Sequence, residues 1–384
     1  MATIEVTTYK IPFNKPTLVG TELDYIQDAI SSGHISGDGT YTRKCEALLE
    51  KELAVSRVLL TTSCTHALEM AAFLLNLGPG DEVILPSFTF VSTANAFVLR
   101  GARPVFADIR PDTLNLNEGQ LEGLITPRTR AIVPVHYGGV ACEMDAILSI
   151  AQRHGVTVIE DNANSLFSRY RGRYTGTLGQ LATQSFHETK NITCGEGGAL
   201  LVNDPQLVER AIVLRDMGTN RDRFLRGQVD KYTWVDLGSS YIVSDLLAAF
   251  LYAQLEAREE IQSTRAKIWQ RYRRGLEAWA QQNGVGLPVI PTHCEQSYQM
   301  FYLLLPSLKQ RAALITHLKE RGILAVFHYV PLHLSPMGLK HGAGKQDCPV
   351  TVDVSDRLLR LPFYNGLTED EQAAVIEAVL EFNV

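Results

Sequence analysis

The chain has 384 residues, 45% of them hydrophobic and 20% charged, with a formal charge of −6. That length supports a sizeable core and two domains, the composition is that of a soluble globular enzyme, and the acidic balance leaves no basic footprint for nucleic acid or an anionic membrane. The start, Met1-Ala-Thr-Ile-Glu-Val-Thr-Thr8, lacks the basic and apolar parts of a signal peptide, and the apolar run over 67–77 is interrupted by Glu69 and Asn76, so a cytoplasmic protein is expected. Six cysteines without a Cys-x-x-Cys pair argue against a disulfide framework and against zinc. His187-Glu188 would need a histidine at position 191 to match a zinc-protease helix, and Asn191 stands there, so no metal site is expected.

In chain order, Leu23, Ile26 and Ile30 share one face of a helix predicted over 21–30, with Gly33 as its stop. Ser36-Gly-Asp-Gly39 is a turn, too short and wrongly placed for a dinucleotide fingerprint. A second helix is predicted over about 42–53. From Val58 the pattern alternates, with strands over 58–61, 82–85, 105–108, 131–135 and 156–160 and helices over 65–77, 92–99 and 144–154. Such alternation predicts an α/β protein with a wide, mostly parallel sheet, helices on both faces, and ligands at the carboxyl ends of the strands. One long helical stretch over 246–280 is predicted to lead into a smaller α+β domain, with strands over 300–305 and 324–327 and helices over 310–321 and 369–382. The division expected is a large domain over 1–250 and a small one over 251–384. Residues 335–350, rich in Gly and Pro, read as a mobile surface loop.

Four features sit at predicted strand ends or turns. Thr61-Thr-Ser63-Cys64-Thr65 precedes a helix, where free N–H groups hold a phosphate or where a hydroxyl simply caps the helix. Glu160-Asp161 offers either a carboxylate partner for a protonated pyridine or an ordinary loop carboxylate. Phe90 is a ring-stacking residue or core. Lys190, between Ser185-Phe-His187 and the glycine-rich Cys194-Gly-Glu-Gly-Gly198, is a Schiff-base lysine or a surface lysine beside a turn. One chemistry uses all four together: pyridoxal 5′-phosphate (PLP), which needs a lysine, a carboxylate, a phosphate cup and a stacking ring.

The chain resembles the DegT/StrS family of PLP-dependent sugar aminotransferases over essentially its whole length. The matching stretches are Thr62-Ser-Cys-Thr-His-Ala-Leu-Glu-Met70, Pro86-Ser-Phe-Thr-Phe-Val-Ser-Thr-Ala-Asn95, Val135-His-Tyr-Gly138, Glu160-Asp161, the run from Ser185 to Gly198, and His328-Tyr-Val-Pro-Leu-His333. Val98-Leu-Arg-Gly101, His187-Glu-Thr-Lys-Asn191, Arg226-Gly-Gln-Val-Asp-Lys-Tyr-Thr-Trp234 and Gly238-Ser-Ser-Tyr241 narrow the likeness to members that make dTDP-4-amino-4,6-dideoxygalactose for bacterial surface antigens.

The resemblance implies a type I aminotransferase fold and a homodimer with shared active sites. It implies that glutamate and a dTDP-4-keto-6-deoxyhexose are the substrates, with pyridoxamine 5′-phosphate between the two half-reactions. Lys190 matches the Schiff-base lysine and Asp161 the pyridinium partner; Ser185, Cys64 and Thr65 match phosphate-binding positions, and Phe90 and Ala163 flank the ring. Ser240 takes the place of an asparagine by which the partner subunit commonly reaches the phosphate. Asn164 keeps an amide near the cofactor's phenolic oxygen, one methylene shorter than the family's glutamine, and Asn162 is a further departure. Tyr329, with His328, is a candidate sugar contact; His136, His328 and His333 otherwise read as satisfied loop or core histidines. Arg221, Arg223, Arg226 and Lys231 meet a diphosphate or the partner subunit, or form a solvated face.

Three other readings stay open. A related PLP-dependent sugar deoxygenase carries histidine in place of the lysine, a nicotinamide enzyme would need a glycine fingerprint, and a catalytically silent PLP-binding protein would bind cofactor without turnover.

Overall fold

The computed structural model describes residues 9–342 and 347–384. Its centre is a seven-stranded sheet built from β1 (Arg57–Thr61), β2 (Glu82–Pro86), β3 (Arg103–Ala107), β4 (Thr129–Ile132) and β5 (Thr157–Asp161), followed after a small hairpin, β6 (Arg169–Tyr170) and β7 (Arg173–Tyr174), by β8 (Leu181–Ser185) and β9 (Gly198–Val202). The order is β1-β9-β8-β5-β4-β2-β3, parallel throughout except that β9 runs antiparallel to β8 and β1. Val58 and Leu60 face one core while Leu59 faces the other, the alternation expected of strands buried on both sides.

The smaller sheet pairs β11 (Tyr302–Leu304) and β12 (Val326–Phe327) with the central β13 (Leu358–Arg360); β10 (Cys294–Glu295) instead joins the β6–β7 hairpin. Its core combines Phe301, Leu303, Leu359 and Leu361 with Tyr272, Leu276, Leu314, Leu318, Val375 and Val379 from three helices, Arg258–Gln282, Leu308–Glu320 and Glu369–Leu380. Among the described residues no helix is long and apolar enough to cross a membrane.

Several expectations need correction. The first helix, Glu22–Ser31, buries Glu22 and Ala29, and leaves Leu23 76% and Ile30 50% exposed. The inward side carries Tyr25, Ile26 and Ala29 against the core together with Glu22, which accepts from Gln254 at 2.7 Å and from the N–H groups of Val19 and Gly20, so of the expected stripe Ile26 faces inward while Leu23 and Ile30 face outward. The predicted long helix is two, Asp245–Glu256 and Arg258–Gln282. At the break the Arg258 guanidinium takes the Leu255 carbonyl at 3.2 Å and pairs with Glu52, giving a released backbone acceptor a side-chain donor. The segment 335–350 contains the helix Pro336–Lys340, with Pro336 in its first turn and Ser335 Oγ accepting from Gly338 N, and the start of the helix Pro349–Arg357; residues 343–346 lie outside the described residues.

Candidate active site

β5 ends at Asp161 and β8 at Ser185, and β1 ends at Thr61 just before the helix Cys64–Leu74. β9 begins at Gly198, which is in register with both Thr61 and Ser185. All four termini therefore lie on one edge of the sheet. They open into a cavity of about 500 Å³ whose lining includes Cys64, Thr65, Phe90, Asp161, Ala163, Asn164, Ser185, Lys190, His328 and Tyr329.

The phosphate end is a helix N-terminus. Ser63 caps the helix through its Oγ, which accepts from His66 N at 3.1 Å, and the N–H groups of Cys64 and Thr65, in the first turn, have no helical acceptor. Thr65 Oγ1 donates to Ser92 Oγ at 2.8 Å, fixing the hydroxyl beside the cavity. The strand that closes the cup must be glycine at 198, since a Cβ there would stand 2.3 Å from Cys64 N and 2.3 Å from the Ser63 carbonyl carbon. Burial pushes the Cys64 thiol up to about 12, so it stays a neutral neighbour for an anion.

The carboxylate end is equally constrained. Asp161 is buried; its Oδ2 accepts from Thr93 Oγ1 at 2.8 Å and its Oδ1 from Ala163 N at 3.2 Å. Thr93 is itself joined to Thr89 at 3.0 Å. Next to Asp161 in sequence but pointing away from the cavity, Glu160 pairs with His136 at 2.9 Å and accepts from the N–H groups of Gly176, Leu178 and Gly179. Burial opposes ionisation of Glu160, yet the imidazole and the backbone donors outweigh it and hold the carboxyl below its ordinary range. His136 N also donates to the Asp161 carbonyl, so the pair pins the strand end that carries Asp161.

Lys190 reaches across from the turn after β8. Its Nζ donates to Asn164 Oδ1 at 3.0 Å, so the shorter amide still meets the lysine. Burial pushes the amine down from the ordinary lysine range, opposed by Asp161, and Arg360 adds to the lowering. A neutral amine is the form that condenses with an aldehyde and accepts a proton. Asn162 plays no part in the cavity; its amide donates to Gln184 Oε1 at 3.0 Å inside the protein.

Phe88, not Phe90, is core: Phe88 is buried against Tyr137 and Tyr329, at ring-centroid distances of 5.2 and 5.4 Å, whereas Phe90 is 57% exposed at the cavity rim. Tyr329 adopts a positive φ of 40°, a strained setting for an aromatic residue, and stacks on His328 at 3.5 Å between centroids. His328 accepts or donates at Nδ1 with the Tyr137 hydroxyl at 2.8 Å, and burial pushes its imidazole well below the ordinary range. His333 is buried and bonded to Ser87 at 2.6 Å, away from the cavity lining. Ser240 is exposed and bridged to Asp216, outside the cavity of its own chain. Arg226 pairs with Glu209 and Asp222, and Arg221 with Asp216.

Residues given no role in the site by the sequence also build it. Thr93 holds Asp161, the Glu160–His136 pair holds its strand, and Phe13, Gln299 and Arg360 add to the cavity lining. The cup that only glycine permits, the buried carboxylate and the opposed lysine fit PLP: Cys64, Thr65 and Ser185 would hold its phosphate, Asp161 its ring nitrogen and Lys190 its aldehyde carbon.

Fold and site together define a PLP-dependent aminotransferase of type I fold. The model of the DegT/DnrJ/EryC1/StrS aminotransferase family matches residues 16–380. Spore coat polysaccharide biosynthesis protein SpsC of Bacillus subtilis is 34% identical, with 96% of each chain covered. GDP-perosamine synthase of Caulobacter vibrioides is 35% identical, with 96% of this chain and 97% of that one covered. The PLP-form of Spr1654 from Streptococcus pneumoniae superimposes with a TM-score of 0.89 at 25% identity, covering 96% of this chain and 97% of the other, and the same protein is also solved in a PMP-form. The chain belongs to the DegT/DnrJ/EryC1/StrS aminotransferase family and is a PLP-dependent sugar aminotransferase.

Proposed function

We propose that the enzyme moves the amino group of glutamate to C4 of a dTDP-linked 4-keto-6-deoxyhexose, giving the 4-amino-4,6-dideoxy sugar in the galacto configuration. The observation that carries amino transfer is the meeting of Lys190, held on Asn164, and Asp161, held by Thr93, in one cavity. The sugar and its C4 position rest on the residue matches at 187–191, 226–234 and 238–241. Bound PLP supplies an aldehyde that takes up the amino group and a ring that takes up an electron pair. Lys190 Nζ, oriented by Asn164, moves the proton to and from the substrate carbon that bears nitrogen. Asp161, held by Thr93 and the Ala163 N–H, keeps a ring nitrogen protonated. Tyr329 and His328, on the wall contributed by the smaller sheet's loops, are the proposed sugar contacts.

The same reading makes the enzyme a cytoplasmic homodimer in which Ser240 of one protomer completes the phosphate site of its partner. Exposed apolar side chains support this: Leu23, Ile30 and, near Ser240, Trp234, which is 73% exposed. A second reading, transfer to a GDP-linked sugar, is favoured by the likeness to GDP-perosamine synthase.

Half-reaction spectroscopy on the holoenzyme tests the proposal. Glutamate alone should bleach the yellow absorbance, and dTDP-4-keto-6-deoxyglucose should then restore it. Restoration only by a GDP-linked ketosugar favours the second reading. No response to glutamate in a holoenzyme that borohydride reduces at Lys190 contradicts glutamate as donor, and Lys190→Ala should abolish both phases.

A further inference from the structure

A strap of three residues, 297–299, without secondary structure of its own, ties down the turn that carries Lys190. Ser297 Oγ donates to the Asn164 carbonyl at 2.7 Å, and the Ser297 carbonyl accepts from Asn191 Nδ2 at 2.6 Å. Gln299 Nε2 donates to the Thr189 carbonyl at 3.1 Å. The strap therefore bonds both chain neighbours of Lys190 and the main chain of Asn164, the residue that receives the amine. The approach is close, since a Cβ at Gly139 would stand 2.3 Å from Ser297 Oγ. Between the two anchors Tyr298 takes a positive φ of 55°, an unfavourable setting that its surroundings must hold. Arg265, on the helix Arg258–Gln282, holds it. Its Nε donates to the Tyr298 carbonyl and its Nη2 to the Gln299 carbonyl, both at 2.9 Å, while Nη1 donates to Asn365 Oδ1 at 3.0 Å.

Arg265 is buried, with its guanidinium over the Phe363 ring at 4.7 Å. Among the described residues no carboxylate pairs with it, and burial brings it down to about 9. Arg215, similarly buried, is paired with both Glu46 and Asp38. An unbranched apolar side chain would fill the place of Arg265 without the cost of desolvating a cation, so packing does not account for a guanidinium there. A rigid planar fork that fixes two consecutive carbonyls does. We propose that Arg265 is a positioning residue for the proton transfer: it sets the strap, and the strap sets Lys190 against Asn164. The proposal rests on the reading of Lys190 as the group that moves the proton, and adds what holds that group in place.

The test compares holoenzyme of the wild type, Arg265→Lys, Arg265→Met and Ser297→Ala. Stopped-flow gives the maximal rate of bleaching by glutamate and the glutamate concentration that half-saturates it. Glutamate deuterated at C2 gives the isotope effect on that rate. Hydrogen exchange of the unreacted holoenzyme is followed in peptides over 186–194 and 297–301. Arg265→Met should slow bleaching about 10- to 100-fold, the cost of misplacing a reacting group by about 1 Å, with half-saturating glutamate within about 3-fold of wild type. The isotope effect should stay at or above the wild-type value, because the proton step is the one that slows. Exchange should quicken about 5- to 10-fold in both peptides and not in the helix Leu308–Glu320. Arg265→Lys should recover part of the rate, and Ser297→Ala should slow bleaching about 2- to 10-fold. An unchanged maximal rate in folded Arg265→Met overturns the proposal. A slower rate with an isotope effect near one, or with exchange quickened throughout the chain, makes the residue merely structural and also overturns it. If Arg265→Met does not fold, wild-type kinetics in Ser297→Ala overturn the proposal, and slower bleaching with the isotope effect kept supports it. Wild type that ignores glutamate contradicts the donor and not the strap; exchange then decides, faster in the two peptides in support and equal to wild type against.

Discussion

Asp161 shows how much of a catalytic position lies outside the residue itself. Its type and place after a β-branched run make it legible as a pyridinium partner, but Thr93, which donates to it at 2.8 Å, is 68 residues earlier in the chain. Nothing local to Ser92-Thr93-Ala94 distinguishes that hydroxyl from any helical threonine. Arg360 was illegible for the same reason: its strand is three residues long, and its meaning depends on which cavity the strand borders. Lys190, Cys64, Thr65, Ser185 and Asn164, by contrast, sit in segments whose local chemistry is distinctive, and they line one cavity. Thr93→Val keeps the shape and removes the donor, leaving Asp161 Oδ2 without its hydroxyl partner. Turnover should fall by about 10- to 150-fold, the worth of one hydrogen bond to a charged group, with the fold intact by circular dichroism. Unchanged kinetics would show that the Ala163 N–H alone holds Asp161.

At the scale of elements, the alternating pattern was readable where strands are runs of branched apolar residues. It failed for β8, Leu181-Ala-Thr-Gln-Ser185, whose polar side chains are buried in the middle of the sheet. Gln184 is tolerated there because it accepts from Asn162 at 3.0 Å and donates to the Ser185 carbonyl at 3.2 Å. Long-range polar contacts also attach the first helix, where Glu22 meets Gln254, and mark the break at Ala257, where Arg258 pairs with Glu52. The residues Leu251, Leu255 and Ile261 pack in the core with Val58 and Leu60, while Ile268 packs with the smaller sheet; we propose that the division between domains falls within the helix Arg258–Gln282 rather than at 250. At the start of β2, Glu82 is buried and accepts from Arg103 at 2.6 Å, Thr126 at 2.6 Å and Arg128 at 2.9 Å. Burial opposes ionisation, but these three donors together bring the carboxyl down to about 2 from the ordinary 4.5. A depressed folded-state value stabilises the protein above the unfolded value and ceases to do so as pH falls through the folded one. Glu82→Gln should therefore cost about 1–3 kcal/mol at pH 7, with the gap to wild type closing between pH 4.5 and about 2 in thermal denaturation. A gap independent of pH would assign the loss to packing.

At the scale of the molecule, the fold class was legible because alternating strands and helices admit few arrangements, and because the ligand edge of such a sheet is set by strand direction. What a single chain's sequence pattern does not encode is where another chain would cover it. Leu23, Ile30, Phe90 and Trp234 are all exposed, and Phe90 stands at the cavity rim. The proposed homodimer predicts a sedimentation mass twice that of the chain at micromolar concentration. Trp234→Glu should shift it toward the monomer and weaken PLP retention together; a monomeric wild type with full activity would remove Ser240 from the site.

The central claim is amino transfer to a sugar carbon through Lys190, and one measurement addresses it directly. Holoenzyme is incubated with ¹⁵N-glutamate and dTDP-4-keto-6-deoxyglucose, and the product is followed by NMR. The expected result is ¹⁵N bonded to C4 of the sugar in the galacto configuration, 2-oxoglutarate in equal amount, and neither product with Lys190→Ala. Nitrogen at another carbon, or an unlabelled sugar in the presence of fully loaded enzyme, would contradict it.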